Sequence, residues 1–167
     1  MTDINRRTFI QAAGGIAALG ATIGFPSLAL GAARHVVVVG GGVGGSTAAK
    51  YIRKLDAGIA VTLIETKPNY TSCFMSNEVL SGERTVESLT FGYDGLRRYG
   101  IEVVMDTVVG IDPVKRKVQT AGGNSFSYDA CVVSPGVGFK WDAIEGYDKQ
   151  VAEETIPHAW YAGPQTQ

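Results

Sequence analysis

Residues 36–45 leave this chain few ways to fold: Val36-Val37-Val38-Val39 runs straight into Gly40-Gly41-Gly42-Val43-Gly44-Gly45. Four β-branched residues in a row read as a short strand buried on both faces, which is how strands of a parallel sheet look. The glycines fit GxGxxG, and residues 46–55 continue as a helix with Ala48, Ala49, Ile52 and Leu55 apolar. A second strand over 60–64 ends on Glu65, about twenty residues after the last glycine. Strand, glycine loop, helix, strand and terminal acid together form a dinucleotide-binding fingerprint, and each part has a physical task.

Gly40 permits the turn out of the strand, Gly42 lets the backbone approach a pyrophosphate, and Gly45 lets helix and sheet pack closely. Gly41, Val43 and Gly44 complete the loop. The helix N-terminus offers unpaired N–H groups and a positive dipole end to the phosphates. Glu65 is suited to accept both hydroxyls of an adenosine ribose, and its charge repels a 2′-phosphate, which favours FAD or NAD over NADP. Thr66 beside it is assigned to the same cofactor site.

Downstream the pattern changes. Short β-type runs from Ile101 through Tyr128, separated by turns at Pro113 and Gly122-Gly123-Asn124, predict an antiparallel meander over 101–128. Tyr128-Asp129-Ala130-Cys131-Val132-Val133 then returns to a buried strand and stops at Ser134-Pro135-Gly136. A meander inserted after the first βαβ unit is the layout of two-dinucleotide flavoproteins. The block over 128–136 resembles the YDxLVxATG segment that closes their FAD cradle, with Ser-Pro-Gly in place of Ala-Thr-Gly. That resemblance adds Val108, Ser134, Pro135 and Gly136 to the expected cofactor contacts. The predicted fold is therefore an α/β, Rossmann-like three-layer FAD-binding domain, with a parallel sheet over 36–39, 60–64 and 130–133 and an inserted meander. Without the last strand of the flavoprotein sheet, one sheet edge is expected to stay open.

Composition narrows the partners. Across 167 residues the formal net charge is −1, so no basic excess supports nucleic-acid binding. A hydrophobic content of 45% with 19% charge is that of a folded domain and not a disordered chain. Cys73 and Cys131 allow at most one disulfide, and no CxxC or His/Cys cluster offers a zinc site.

Residues 1–33 read separately, as a removable export signal. Asn5-Arg6-Arg7-Thr8-Phe9-Ile10 supplies a twin-arginine pair, an uncharged Ala/Gly-rich stretch follows, and small residues stand around Ala29-Leu30-Gly31 and Gly31-Ala32-Ala33. Glycines and Pro26 interrupt the stretch before it makes a firm span of ~20 residues, so a cleaved signal is favoured over a membrane anchor. Periplasmic export of a cofactor-loaded domain spanning 34–167 is the expectation.

The segment Asn69-Tyr70-Thr71-Ser72-Cys73-Phe74-Met75-Ser76-Asn77-Glu78-Val79-Leu80 resembles the flavoprotein subunit of flavocytochrome c sulfide dehydrogenase. Phe91-Gly92-Tyr93-Asp94-Gly95-Leu96, Ile144-Glu145-Gly146-Tyr147 and Pro157-His158-Ala159-Trp160 extend the resemblance. It implies that Cys73 holds the flavin of FAD by a thioether to its 8α-methyl carbon. It also implies that sulfide is oxidised to zero-valent sulfur or polysulfide, with electrons passing through FAD to a c-type cytochrome subunit. The family's redox disulfide and second dinucleotide-like domain belong beyond residue 167, so no catalytic residue is assigned here and the chain is expected to be an N-terminal portion, inactive alone. No CxxCH is present for an attached haem. Two alternatives stay open: a relative with non-covalent FAD, such as sulfide:quinone oxidoreductase or another FAD-dependent oxidoreductase of the pyridine-nucleotide-disulfide type, and a non-catalytic, truncated nucleotide-binding module. Of the other conspicuous residues, His158 reads as a loop or interface residue, Lys115-Arg116-Lys117 as a solvated hairpin tip, Cys131 as packing, and Tyr51, Tyr70 and Tyr93 as core or rim.

Overall fold

The computed structural model describes residues 34–158 and 160, so the export-signal reading of residues 1–33 lies outside the described residues. Strand β1 (His35–Val39) lies between β2 (Ala60–Glu65) and β9 (Ala130–Val133), paired in parallel with both. Alternation along β1 builds three layers. Val36 and Val38 face helix α1 (Val43–Leu55) in a core shared with Ala49, Val61, Leu63, Tyr93 and Ile101. Val37 faces the other way, into a core with Ile64 and Val118. Since successive side chains of a strand point to opposite faces, a run of four valines is what a sheet covered on both sides requires.

Val118 belongs to the meander that forms the third layer: β6 (Val108–Asp112), β7 (Lys117–Thr120) and β8 (Ser125–Ser127), antiparallel in that order. The meander is shorter than the sequence pattern predicts. Its expected first strand, β5 (Glu102–Met105), instead pairs in parallel with β2, giving a sheet of four strands in the order β5-β2-β1-β9. The crossover from β2 to β5 contains a hairpin of β3 (Asn69–Thr71) with β4 (Thr90–Gly92), and helices α2 (Ser76–Leu80) and α3 (Asp94–Arg97). Helix α1 also begins earlier than its apolar spacing suggests, at Val43, because the glycine loop itself supplies its first residues.

Among the described residues β9 has only one partner, so the expected open edge is present, with Val133 58% exposed. The Lys115-Arg116-Lys117 cluster is the β6–β7 turn, where Arg116 takes φ 51° and Lys115 lies 3.8 Å from Asp112. Cys73 and Cys131 are both free, and Cys131 is half-buried against the second core, where burial pushes its thiol up. No helix of the described residues is long and apolar enough to cross a membrane.

At the end of the sheet away from the glycine loop, His35 ties three strands together. Its Nδ1 lies 2.7 Å from the Ser127 carbonyl and its Nε2 2.9 Å from Thr62 Oγ1, which donates to Glu102 at 2.8 Å. The His35 backbone N–H donates to Asp129 at 2.8 Å. Thr62 is 1% exposed, so losing its histidine partner leaves a buried hydroxyl short of a bond. His35→Ala should therefore lower stability by about 1–2 kcal/mol, read as an earlier urea midpoint with unchanged slope. An unchanged midpoint would show the tie to be unimportant.

Candidate functional site

The parallel strands end beneath a groove of about 550 Å³, lined by Gly40, Gly42, Val43, Gly44, Glu65 and Thr66 on one side and by Ser134, Pro135 and Gly136 on another. This is the carboxyl end of the sheet, where open α/β sheets hold ligands. Tyr70, Cys73 and Phe74 reach the same groove from the hairpin and the loop after it. Residues separated by more than ninety positions in the chain thus meet because β1, β2 and β9 all end there.

The glycines divide by task. Gly40 has φ +97°, and a Cβ on it would lie 2.1 Å from the Ser134 carbonyl oxygen. A Cβ on Gly45 would lie 1.8 Å from the Gly40 carbonyl oxygen, so the helix can close on the turn only with hydrogen at that position. Gly42 differs from both: the nearest atom to its Cβ position is a Tyr70 ring carbon at 3.9 Å, and the space above it is groove. That open space over the start of α1 fits a dinucleotide's phosphates, which need close approach to backbone N–H groups.

Glu65 is committed more heavily than its sequence position reveals. Its Oε2 accepts from Gly41 N–H at 2.6 Å. Its Oε1 accepts from Thr66 N–H at 2.7 Å, the Thr66 hydroxyl at 2.9 Å and Lys67 N–H at 3.1 Å. Burial alone would raise its pKa, but the bonds from Gly41, Thr66 and Lys67 outweigh that and hold the carboxyl below its ordinary value. Both oxygens therefore already have protein partners, and Oε2, with one, retains the greater capacity for a ribose hydroxyl. The expectation that Glu65 takes both hydroxyls becomes one in which it shares its oxygens between the ribose and its own loop.

Cys73 is exposed on the groove wall, with its backbone clamped. Its carbonyl accepts from the Ser76 hydroxyl at 2.7 Å, and the Ser72 hydroxyl accepts from Phe74 N–H at 3.1 Å. Met75 then takes φ 67°, a left-handed conformation rare for a residue other than glycine. The loop thus presents the thiol on a fixed backbone.

Val108 is not brought to the groove lining: its side chain packs on the second core with Val37, Ile64 and Val118. Gly41 and Gly45 lie under the loop and are buried. Tyr93, read from sequence as core or rim, is 4% exposed and donates to the Gly41 carbonyl at 3.1 Å. Nothing within the local pattern marks that contact, since it joins positions 52 residues apart. Tyr70 and Tyr93 line the groove and also a neighbouring cavity of about 660 Å³ that shares Gly42 and Val43 with it. Tyr51 is 53% exposed. His158 stacks near Phe139 and Trp141, with ring centres 4.8 and 6.1 Å away, as a packing residue.

The family model described as pyridine nucleotide-disulphide oxidoreductase matches residues 34–159. A sulfide-quinone reductase of Aquifex aeolicus is 32% identical over 128 residues, covering 76% of this chain and 30% of that protein. The flavoprotein chain of a sulfide dehydrogenase (flavocytochrome c) from Chlorobaculum thiosulfatiphilum is 56% identical over 46 residues, 28% of this chain and 96% of that sequence. Among solved structures, the sulfide:quinone oxidoreductase of Aquifex aeolicus superposes with TM-score 0.60 at 32% identity, over 64% of this chain and 25% of its own. A water-forming NADH oxidase from Lactobacillus brevis shares the fold, with TM-score 0.58 at 24% identity over 62% of this chain and 25% of its own. The chain therefore spans about a third or less of the reductase and of both solved structures.

Proposed function

Because the chain belongs to the pyridine nucleotide-disulphide oxidoreductase family, and is related within it to the flavocytochrome c flavoprotein, we propose that it is the FAD-binding segment of a periplasmic sulfide dehydrogenase. The whole enzyme would oxidise sulfide to zero-valent sulfur or polysulfide and pass the electrons to a c-type cytochrome. The observation that carries the reading is Cys73 on the wall of the same groove as the glycine loop and Glu65. Membership of this family makes FAD the cofactor, and FAD supplies an acceptor that takes two electrons together and releases them singly.

The chain's own residues bind and orient. The first N–H groups of α1, exposed over Gly42, Val43 and Gly44, receive the phosphates, while Glu65 and Thr66 hold the adenosine end. Ser134, Pro135 and Gly136 close the groove beside the Gly40 turn. Cys73, on its clamped backbone, is the residue assigned to a thioether with the flavin, which would keep the cofactor attached after export through the twin-arginine route.

Intact mass of the acid-denatured, exported full chain tests this directly. A flavin mass that survives unfolding and disappears in Cys73→Ser is the expected result. A mass retained in the serine variant would move the attachment elsewhere. No retained flavin in either protein would favour the second reading, a non-covalent relative of sulfide:quinone oxidoreductase, which the 32% identity over 128 residues supports. Reduction of a soluble quinone in preference to cytochrome c by the complete enzyme would separate that reading from the first.

A further inference from the structure

The Gly41–Gly42 peptide is held by two side chains. The Gly41 carbonyl accepts two hydroxyls, from Ser46 at 2.7 Å and from Tyr93 at 3.1 Å, while its N–H is taken by Glu65 at 2.6 Å. No peptide bond among the described residues is cis. In a trans peptide the carbonyl and the following N–H point in opposite directions, so pinning the Gly41 oxygen toward Tyr93 turns the Gly42 N–H away from it. Gly42 is the loop residue with open groove above it. No backbone bond from the Gly42, Val43 or Gly44 N–H is formed with another described residue.

We propose that Tyr93, together with Ser46, is a positioning residue that fixes the Gly41–Gly42 peptide in the orientation that offers the Gly42 N–H to a phosphate of the bound dinucleotide. This rests on the dinucleotide reading of the groove and adds to it the device that preorganises the phosphate site. The alternative orientation of that peptide would turn a carbonyl dipole toward the phosphate, so a tether against rotation bears on affinity for phosphate and not for the nucleoside. Tyr93 is suited to the task because it can serve only as a donor there. Burial, with smaller contributions from nearby Glu65 and Tyr70, pushes its hydroxyl up to about 12, so it keeps its proton at any working pH. Its place in the core shared with Val36, Val38 and Leu63 anchors the tether among buried side chains.

The test compares ADP with adenosine as ligands of the full chain, by calorimetric titration, in Tyr93→Phe and Ser46→Ala. Phenylalanine keeps the ring in the core, so the fold should persist. Each variant should bind ADP about fivefold to tenfold more weakly, the loss of about one hydrogen bond, with adenosine affinity unchanged. Equal losses for ADP and adenosine would overturn the positioning role in favour of a general loosening of the loop. Unchanged ADP affinity, in a chain whose wild type binds ADP, would overturn it while leaving the dinucleotide reading intact. If the wild type bound neither ligand, that reading would fall and take the proposal with it. Should Tyr93→Phe prove unfolded, Ser46→Ala interrogates the same carbonyl through its second tether.

Discussion

Gly45→Ala should lose about 3 kcal/mol of stability or more, and Gly42→Ala almost none. An added methyl at Gly45 would sit 1.8 Å from the Gly40 carbonyl oxygen, 3.0 Å from its carbon and 3.2 Å from Val38 Cγ1. The first two are backbone atoms of the turn that β1 and α1 share, so neither can rotate aside. Overpacking in a core that has no soft neighbour costs about 1–3 kcal/mol and more where backbone must shift. Gly40 cannot absorb that shift cheaply, being held at φ +97° against the Ser134 carbonyl. For a chain of this length the fall in Tm should be about 10 °C or more. At Gly42, by contrast, φ is −66° and nothing approaches the methyl closer than 3.9 Å, so stability should stay within about 0.5 kcal/mol of wild type. Its methyl fills the space that the dinucleotide reading gives to a phosphate, and ADP affinity should fall about tenfold or more. Thermal melts paired with ADP titration check both halves. If the two variants melted alike, or if Gly42→Ala bound ADP as the wild type does, the division of the loop into a packing glycine and a ligand-facing glycine would be wrong.

The first βαβ unit was legible because everything that specifies it is local. β1, the glycine loop and the start of α1 are consecutive, and β2 follows within one helix length, so the pattern and the fold coincide. β5 was not legible for the complementary reason. Glu102–Met105 carries the same short β-type signal as the meander strands, and what distinguishes it is its parallel pairing with β2. The helix that normally betrays such a crossover is α3, four residues long, too short to show a helical period. Val108's place in a flavoprotein-like meander points to the cofactor, while its side chain packs on the second core. Tyr93 shows the limit of a one-dimensional reading most plainly. Its spacing from Tyr51 and Tyr70 carries no information, because its function depends on a carbonyl in the glycine loop that only the folded sheet brings within reach.

Glu65→Gln should be less stable than wild type at neutral pH, and the difference should vanish in acid. The carboxylate accepts four donors, from Gly41, Thr66 twice and Lys67. An amide supplies one oxygen and places N–H groups against the remaining donors, which leaves at least one N–H unpaired at a cost of about 1–3 kcal/mol. The sign of the pH dependence follows from the carboxyl's folded-state pKa, which its hydrogen bonds hold below the ordinary value. A group shifted down on folding contributes its stability above its unfolded-state pKa and loses it as pH falls through the folded one. The wild-type advantage should therefore be full at pH 6–7 and decline between about pH 5 and pH 3. Asp106 and Asp112 are also held low, chiefly by the Thr120 side chain and the Lys115 N–H respectively, but both proteins carry them and they cancel in the difference. Urea midpoints of the two proteins across pH 3–7 measure it. A difference that stayed constant down to pH 3 would mean that shape, and not charge, is what the loop takes from Glu65. A converging pair of curves would mean that one ionised carboxylate holds the glycine loop closed, so that folding of the loop draws on the same two oxygens that the dinucleotide reading gives to the ribose.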